Sequence, residues 1–285
     1  MIEVDEFIDQ VWRAACRGEI AFMGEQPSGR RWIEPPCNGK LLVLSPHPDD
    51  PDAVAVSLRE FDDAGCRIRY AITGGAHGGM TDEYARVQAR KAGVKPGRLE
   101  KWKAELRQRE QIASARESGI VDGDVVFLKN VEEDELGDMR EVPENARLVA
   151  RLLKDEDPDM VMMPYGNDSN TGHRSVFNVF REVAPGVVVE RGRPILALYN
   201  RDPKTISINE QLVVPFDGEA ARWKASLLSL HDSQQQRNLE VRGYGLDERI
   251  LRLNREIQTE LQSMVIEPWK DECLYAESFQ LELFG

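Results

Sequence analysis

The sequence predicts an α/β fold, a doubly wound, mostly parallel sheet with helices on both faces. Three observations carry this expectation. From residue 39 onward, short apolar runs of strand length alternate with segments of helical periodicity. The runs, Leu41-Leu42-Val43-Leu44 first among them, lack the apolar–polar alternation of a half-exposed strand, as strands buried on both faces do. Glycine and proline punctuate the boundaries between the two kinds of segment.

The elements follow in order. Phe7, Val11, Ala14 and Ala15 keep helical spacing and Gly18 stops that helix; Pro27, Gly29, Pro35, Pro36 and Gly39 then mark a loop. Residues 1–38 therefore read as an N-terminal helical extension and 39–285 as the main domain. Leu41–Leu44 is a strand, followed by a helix over about Asp52–Ala64 with Val54, Leu58 and Phe61 on one side and Gly65 as its stop. Ile68–Ile72 is the second strand. A long helical stretch, Thr81–Ser118, breaks near Gly93 and Pro96-Gly97. Val125–Leu128, Met160–Met163 and Ile195–Tyr199 read as strands. Glu144–Asp155 and Arg174–Val183 read as helices between them, and two helices, Gly218–His231 and Leu246–Met264, close the chain.

Composition narrows the function classes. Thirty-seven basic residues against 50 acidic give a net charge of −13 over 285 residues, which disfavours nucleic acid and anionic lipid as partners. No apolar run reaches the ~18 residues of a membrane span. The acidic Met1–Glu6 lacks the features of a secretory signal. Cys16, Cys37, Cys66 and Cys273 show no C-x-x-C pairing, so they read as reduced thiols of a cytoplasmic protein.

In open parallel sheets ligands bind outside the carboxyl ends of the strands, so the loops after strands carry the functional expectation. The first is Ser45-Pro46-His47-Pro48-Asp49-Asp50-Pro51. Its prolines stiffen the turn, and His47 and Asp50, three positions apart, can aim an imidazole nitrogen and a carboxylate at one ion, the ordinary ligands of zinc. Asp49 then sits beside the metal, where a general base for a water nucleophile belongs. The loop after Met160–Met163 ends in Asn170-Thr171-Gly172-His173-Arg174 and supplies His173 as a third ligand. The resulting His/Asp/His set with an open position is the catalytic zinc pattern, one Zn2+ per chain. The loop Thr73–Gly79 has four glycines; it reads either as an anion-binding nest or as a mobile hairpin-like loop. His77 either supplies a catalytic imidazole or faces solvent. His231 is either a pocket residue or a cation at a helix end.

These motifs resemble the PIG-L/LmbE-like deacetylases, which remove the N-acetyl group of glucosamine-containing molecules with zinc on a Rossmann-like fold. Their A-H-P-D-D-E is matched here by Pro46-His47-Pro48-Asp49-Asp50-Pro51, and their H-P-D-H-R by Asn170-Thr171-Gly172-His173-Arg174. Arg107-Gln108-Arg109-Glu110 with Gly119-Ile120 is similar to an Arg-x-x-Glu helix of the family. Lys224, His231-x-Ser233-Gln234 and Tyr275–Phe279 are similar to its closing motifs. The resemblance spans about Leu41 to Phe279. It implies that His47, Asp50 and His173 bind zinc, that Asp49 is the general base and that Arg107 orients the substrate. It also makes residues 39–285 the deacetylase domain and a small N-acetylated amino sugar or glycoconjugate the partner.

Three positions depart from the family pattern. Pro51 replaces a glutamate, the loop Thr73–Gly79 lacks the family's acids, and Asn170 replaces a histidine that assists the tetrahedral intermediate. Asn170 is thereby the expected substrate contact at that position. The departures also support an alternative, a catalytically impaired sugar-binding protein on the same fold. Finally, residues 86–109 hold nine basic and two acidic residues, a net of +7. The segment reads as a solvated helix face, as a guide for an anionic substrate, or as a docking arm for an acidic neighbour such as Glu132–Asp138 in a homo-oligomer.

Overall fold

A computed structural model describes residues 2–24, 32–95, 97–264 and 273–285. The expected loop markers Pro27, Gly29 and Pro96 lie outside the described residues. The N-terminal part runs β1 (Ile2–Glu3), α1 (Val4–Cys16), β2 (Ala21–Met23), β3 (Trp32–Ile33), β4 (Pro36–Cys37), β5 (Lys40–Ser45), α2 (Ala55–Asp63) and β6 (Arg67–Ile72). The middle runs α3 (Asp82–Lys91), α4 (Leu99–Glu117), β7 (Val125–Phe127), α5 (Pro143–Glu156), β8 (Met160–Pro164) and α6 (Thr171–Arg191). The C-terminal part runs β9 (Ile195–Asn200), β10 (Leu212–Phe216), α7 (Gly218–Ser229), α8 (Asp232–Arg242), α9 (Leu246–Met264) and β11 (Tyr275–Phe284).

Nine strands form the main sheet in the order β3-β2-β10-β11-β9-β8-β5-β6-β7 among the described residues. Every neighbouring pair is parallel except those of β11, which runs antiparallel to β9 and to β10. Alternate residues of each central strand feed opposite cores. Leu41, Val43, Tyr70, Met160, Met162 and Leu198 join α1, α2 and α7 on one face. Leu42, Leu44, Ala71, Val161, Met163 and Tyr199 join α5 and α6 on the other. This two-sided burial explains why the strands read as continuous apolar runs. The chain leaves β5 toward β6 and β7, then returns to β8 on the other side of β5. The sheet order therefore reverses between β5 and β8, and the crevice at their carboxyl ends is where such sheets bind ligands.

Three expectations are corrected. Residues 1–38 do not stand apart as a helical extension: β2 and β3 extend the main sheet, and Phe7, Ile8 and Val11 of α1 are buried in its larger core. The helix expected to end at Val183 continues through Pro185 to Arg191. Ala184, Val187 and Val188 are buried there, and this packing outweighs the hydrogen bond that the proline removes. The chain closes on a strand rather than on two helices, and α8 is a separate helix. In β11 the buried residues include Glu277 and Ser278, so the segment does not read as an apolar run. Among the described residues no helix is long and apolar enough to cross a membrane.

One buried ion pair ties the last strand to the first site loop. Lys224 of α7 and Glu277 of β11 are both fully buried, 2.7 Å apart. Lys224 also donates to the Ala53 carbonyl (2.6 Å) and to Asn254 (2.8 Å). Glu277 accepts from the backbone N–H of Val56 and Ser57 and from the Ser57 hydroxyl, so it caps the start of α2 from a strand more than 200 residues away. Lys224→Met leaves Glu277 as an uncompensated buried carboxylate and is expected to cost about 3–5 kcal/mol, read from the shift in denaturant midpoint. The Lys224→Met, Glu277→Leu double variant is expected to lose less than the sum of the two single variants.

Candidate metal centre

The His-Pro-Asp-Asp loop leaves β5 and enters a short 3-10 turn, Asp50–Val54, before α2. Pro51 occupies the first turn, where a missing N–H is harmless. The Asp50 carboxylate accepts the His47 backbone N–H at 2.8 Å, which folds the loop back on itself. As a result His47 Nδ1 stands 3.1 Å from Asp50. His173 lies in the first turn of α6, whose N-cap is Asn170; the Asn170 side chain accepts from the Gly172 N–H at 2.9 Å. His173 Nε2 stands 3.5 Å from the other Asp50 oxygen. Gly172 is required here, because a Cβ at that position would lie 2.9 Å from the His47 ring.

Each histidine presents one nitrogen to Asp50 and the other to a separate carboxylate. His47 Nε2 meets Asp138 at 3.2 Å, and His173 Nδ1 meets Asp168 at 3.1 Å. Such outer carboxylates fix ring orientation and tautomer in metal sites. The site also passes a test of fit for a metal. His173 Nε2 is buried without a hydrogen-bond partner, and candidate ligand atoms of His47, Asp50 and His173 lie within 4.8 Å of one another. Two imidazoles and a carboxylate suit zinc. Asp168, His173 and Asp202 are equally close together. Their carboxylates are already engaged, Asp168 by His173 and the Asn170 N–H, and Asp202 by the Lys204 N–H, so they buttress rather than form a second site.

The buried carboxylates favour positive charge at this point, which protonated imidazoles or a cation can supply. Burial disfavours charge on Asp50, yet His47 and His173 outweigh it and hold the carboxyl well below the usual carboxylate range. Burial likewise opposes protonation of His173, but Asp50, Asp202 and Asp168 prevail and push the imidazole up to about 10. Asp49 is also held below its ordinary value. Burial pushes it up, and the Arg107 guanidinium, paired directly with it, more than reverses that.

The remaining expected residues fall as follows. Arg107 lines the cavity; it is buried, paired with Asp49, and donates to the Ala76 carbonyl. Asn170 also lines the cavity, with its carbonyl oxygen committed to capping α6. The glycines after β6 make room for protein. A Cβ at Gly74 would lie 2.7 Å from the Gly137 carbonyl, and one at Gly79 would lie 2.5 Å from Arg107. Ala76 adopts φ +45° between them, backbone strain located at the site. His77 Nε2 donates to the Glu135 carbonyl (3.1 Å) and does not line the cavity. His231 is buried against Asp52 at 2.5 Å, and Asp52 also accepts from Ser114. Glu110 of the Arg-x-x-Glu stretch holds the N–H and hydroxyl of Ser233, so that stretch and His231–Gln234 pack as partners. The sequence reading missed Asp138 and Asp168. Asp138 stood in an acidic run, and no local signal ties it to His47, 91 residues away. Asp168, five residues before His173, was the one a search for a carboxylate near each candidate ligand could have found.

The cavity has a volume of about 300 Å3 and is lined by His47, Asp49 and Asp50. The family described as PIG-L: GlcNAc-PI de-N-acetylase matches residues 42–184 of the chain. No curated protein matches it. Among solved structures, N,N'-diacetylchitobiose deacetylase from Pyrococcus horikoshii is 18% identical with a TM-score of 0.61, covering 86% of this chain and 84% of that one. GalB, the 4-carboxy-2-hydroxymuconate hydratase of Pseudomonas putida KT2440, is 16% identical with a TM-score of 0.61, covering 85% and 95%. The A40926 pseudoaglycone deacetylase Dbv21 is 16% identical with a TM-score of 0.57, covering 87% and 99%. At these identities the likeness carries the fold alone, and one fold serves both amide hydrolysis and hydration.

Two outcomes follow from this geometry. Asp168→Asn removes the carboxylate behind His173 and is expected to weaken zinc binding about 10- to 100-fold, measured by chelator competition. His231 bears on stability. Burial opposes its protonation, but the hydrogen bond to Asp52, with Asp49 and Glu110 nearby, raises it above its ordinary value. A raised folded value means that its stabilisation is complete below about pH 6.5 and is lost as pH rises through the folded value. The stability margin of the wild type over His231→Gln is therefore expected to be largest in mild acid and to shrink toward alkaline pH, read from denaturation midpoints.

Proposed function

The chain belongs to the PIG-L family of de-N-acetylases, which are amide hydrolases, and on that premise we propose that it is a zinc-dependent hydrolase removing the acetyl group of an N-acetylglucosamine-type amino sugar. The observation that carries the reading is the buried His47–Asp50–His173 group with Asp49 beside it in one cavity. Zinc held by His47, Asp50 and His173 would supply a Lewis acid that polarises the acetamide carbonyl and acidifies a water nucleophile.

Asp49 is the base. The Arg107 pairing keeps it ionised, so it can accept the proton of the attacking water. Among the contacts of the described residues only one Asp49 oxygen is taken by Arg107, which leaves the second for that proton. Protonated Asp49 then delivers it to the departing amine, so one carboxyl serves both halves of the reaction. Asn170 caps α6 through its carbonyl oxygen and keeps its amide N–H donors for the developing oxyanion. His47 and His173 are fixed by Asp138 and Asp168, so the ligand atoms need no rearrangement on binding metal.

Zinc content and acetate release of Asp49→Asn test the reading together. The variant is expected to keep its metal and to lose about 10²- to 10⁴-fold in kcat. A variant with metal and full turnover removes Asp49 from the role of base. Zinc in the wild type without acetate release from any N-acetylated amino sugar favours the sugar-binding alternative.

A further inference from the structure

The cavity wall is divided by charge. At the metal end, Asp49, Asp50, Asp138 and Asp202 each have a partner within the chain. The same lining also holds Arg237 and Arg242 of α8 and Arg249 of α9, with Lys204. Among the described residues no side-chain hydrogen bond or ion pair engages any of these three guanidinium groups. In a chain of net charge −13, with most other described arginines salt-bridged, three unpaired ones line one cavity, Arg237 and Arg249 half-buried and Arg242 exposed. Burial lowers the pKa of Arg237 and of Arg249; neighbouring guanidinium groups, Arg107 first for Arg237 and Arg242 for Arg249, add to this, and Asp49 and Asp202 offset it in part. The corner that presents them is fixed. Gln235 accepts the Leu246 N–H at 2.8 Å, Gly243 takes φ +80°, and a Cβ at Gly245 would lie 2.2 Å from Gln235. The basic segment 86–109 contributes only Arg107 to this cavity, and Asp49 occupies that residue.

Resting on the deacetylase reading, we propose that the substrate carries an oxyanion, a phosphate or a carboxylate, which Arg237, Arg242 and Arg249 hold while the acetamide lies at the metal end. Guanidinium groups suit this role, since their planar donors match both anions. The three guanidinium groups have no hydrogen bond or ion pair among the described residues, so an anionic substrate gains contacts with them that its neutral analogue does not.

The test uses the zinc-loaded full chain with N-acetylglucosamine, its 1-phosphate and the corresponding 2-acetamido uronic acid. The charged substrates are expected to exceed the neutral one in kcat/KM by about tenfold or more, mainly through KM. Whichever of the two is preferred identifies the oxyanion. Arg237→Gln and Arg249→Gln are each expected to collapse this ratio, Arg249→Lys to restore part of it, and 0.5 M salt to reduce it. A ratio near one in the wild type, or a ratio unchanged in both glutamine variants, overturns the proposal. Calorimetry with glucosamine 1-phosphate against glucosamine separates the two readings. If nothing releases acetate, the deacetylase reading fails. Arginine-dependent preference for the phosphorylated amine then upholds the anion site, and equal binding of the two amines overturns it.

Discussion

The pairing of Lys224 with Glu277 is the interaction on which the site depends. Both groups are removed from water, so each must be satisfied within the protein. The satisfying partners are the Ala53 carbonyl, the N–H groups of Val56 and Ser57, and Asn254 of α9. Ala53, Val56 and Ser57 directly follow the His-Pro-Asp-Asp loop. The last strand and two C-terminal helices therefore hold the loop that carries the candidate base and two candidate ligands. The antiparallel insertion of β11 between β9 and β10 places Glu277 where it can do so.

A second constraint is the concentration of carboxylates around one small volume. Asp49, Asp50, Asp52, Asp138, Asp168 and Asp202 all approach it, and each has a compensating group. Arg107 serves Asp49, the two candidate ligand histidines serve Asp50, His47 also serves Asp138, His231 serves Asp52, and backbone N–H groups serve Asp168 and Asp202. This division separates roles among residues of one chemical type. In the proposed reading the carboxylate between two imidazoles is the ligand, the one against arginine is the base, and those behind the imidazoles orient them. The guanidinium groups of α8 and α9 complete the contrast: no carboxylate of the described residues forms an ion pair with them, and Asp49 and Asp202 act on Arg237 and Arg249 only across space.

The strands were legible because both faces of the sheet are buried, so Leu41–Leu44 and Met160–Met163 stand out as unbroken apolar runs. The strands missed have other causes. β2 and β3 are only two or three residues long, β10 (Leu212–Phe216) is broken by Pro215, and β11 buries Glu277 and Ser278 for their hydrogen bonds, which breaks the apolar pattern. His47, Asp49 and Asp50 were legible because one loop carries them, and His173 because it follows another strand end.

The sequence alone determined the alternating α/β architecture, the two strand-end loops, and the residue types able to hold a metal and move a proton. These are local properties, set by periodicity, turn residues and side-chain chemistry. Only the tertiary structure decided that Asp138 and Asp168 stand behind the histidines, that Arg107 pairs with Asp49, and that Arg237, Arg242 and Arg249 line one cavity with no ion pair among the described residues. Those facts are distances between groups far apart in the chain. A charge in a sequence has no partner until folding removes it from water and leaves only its neighbours to compensate it.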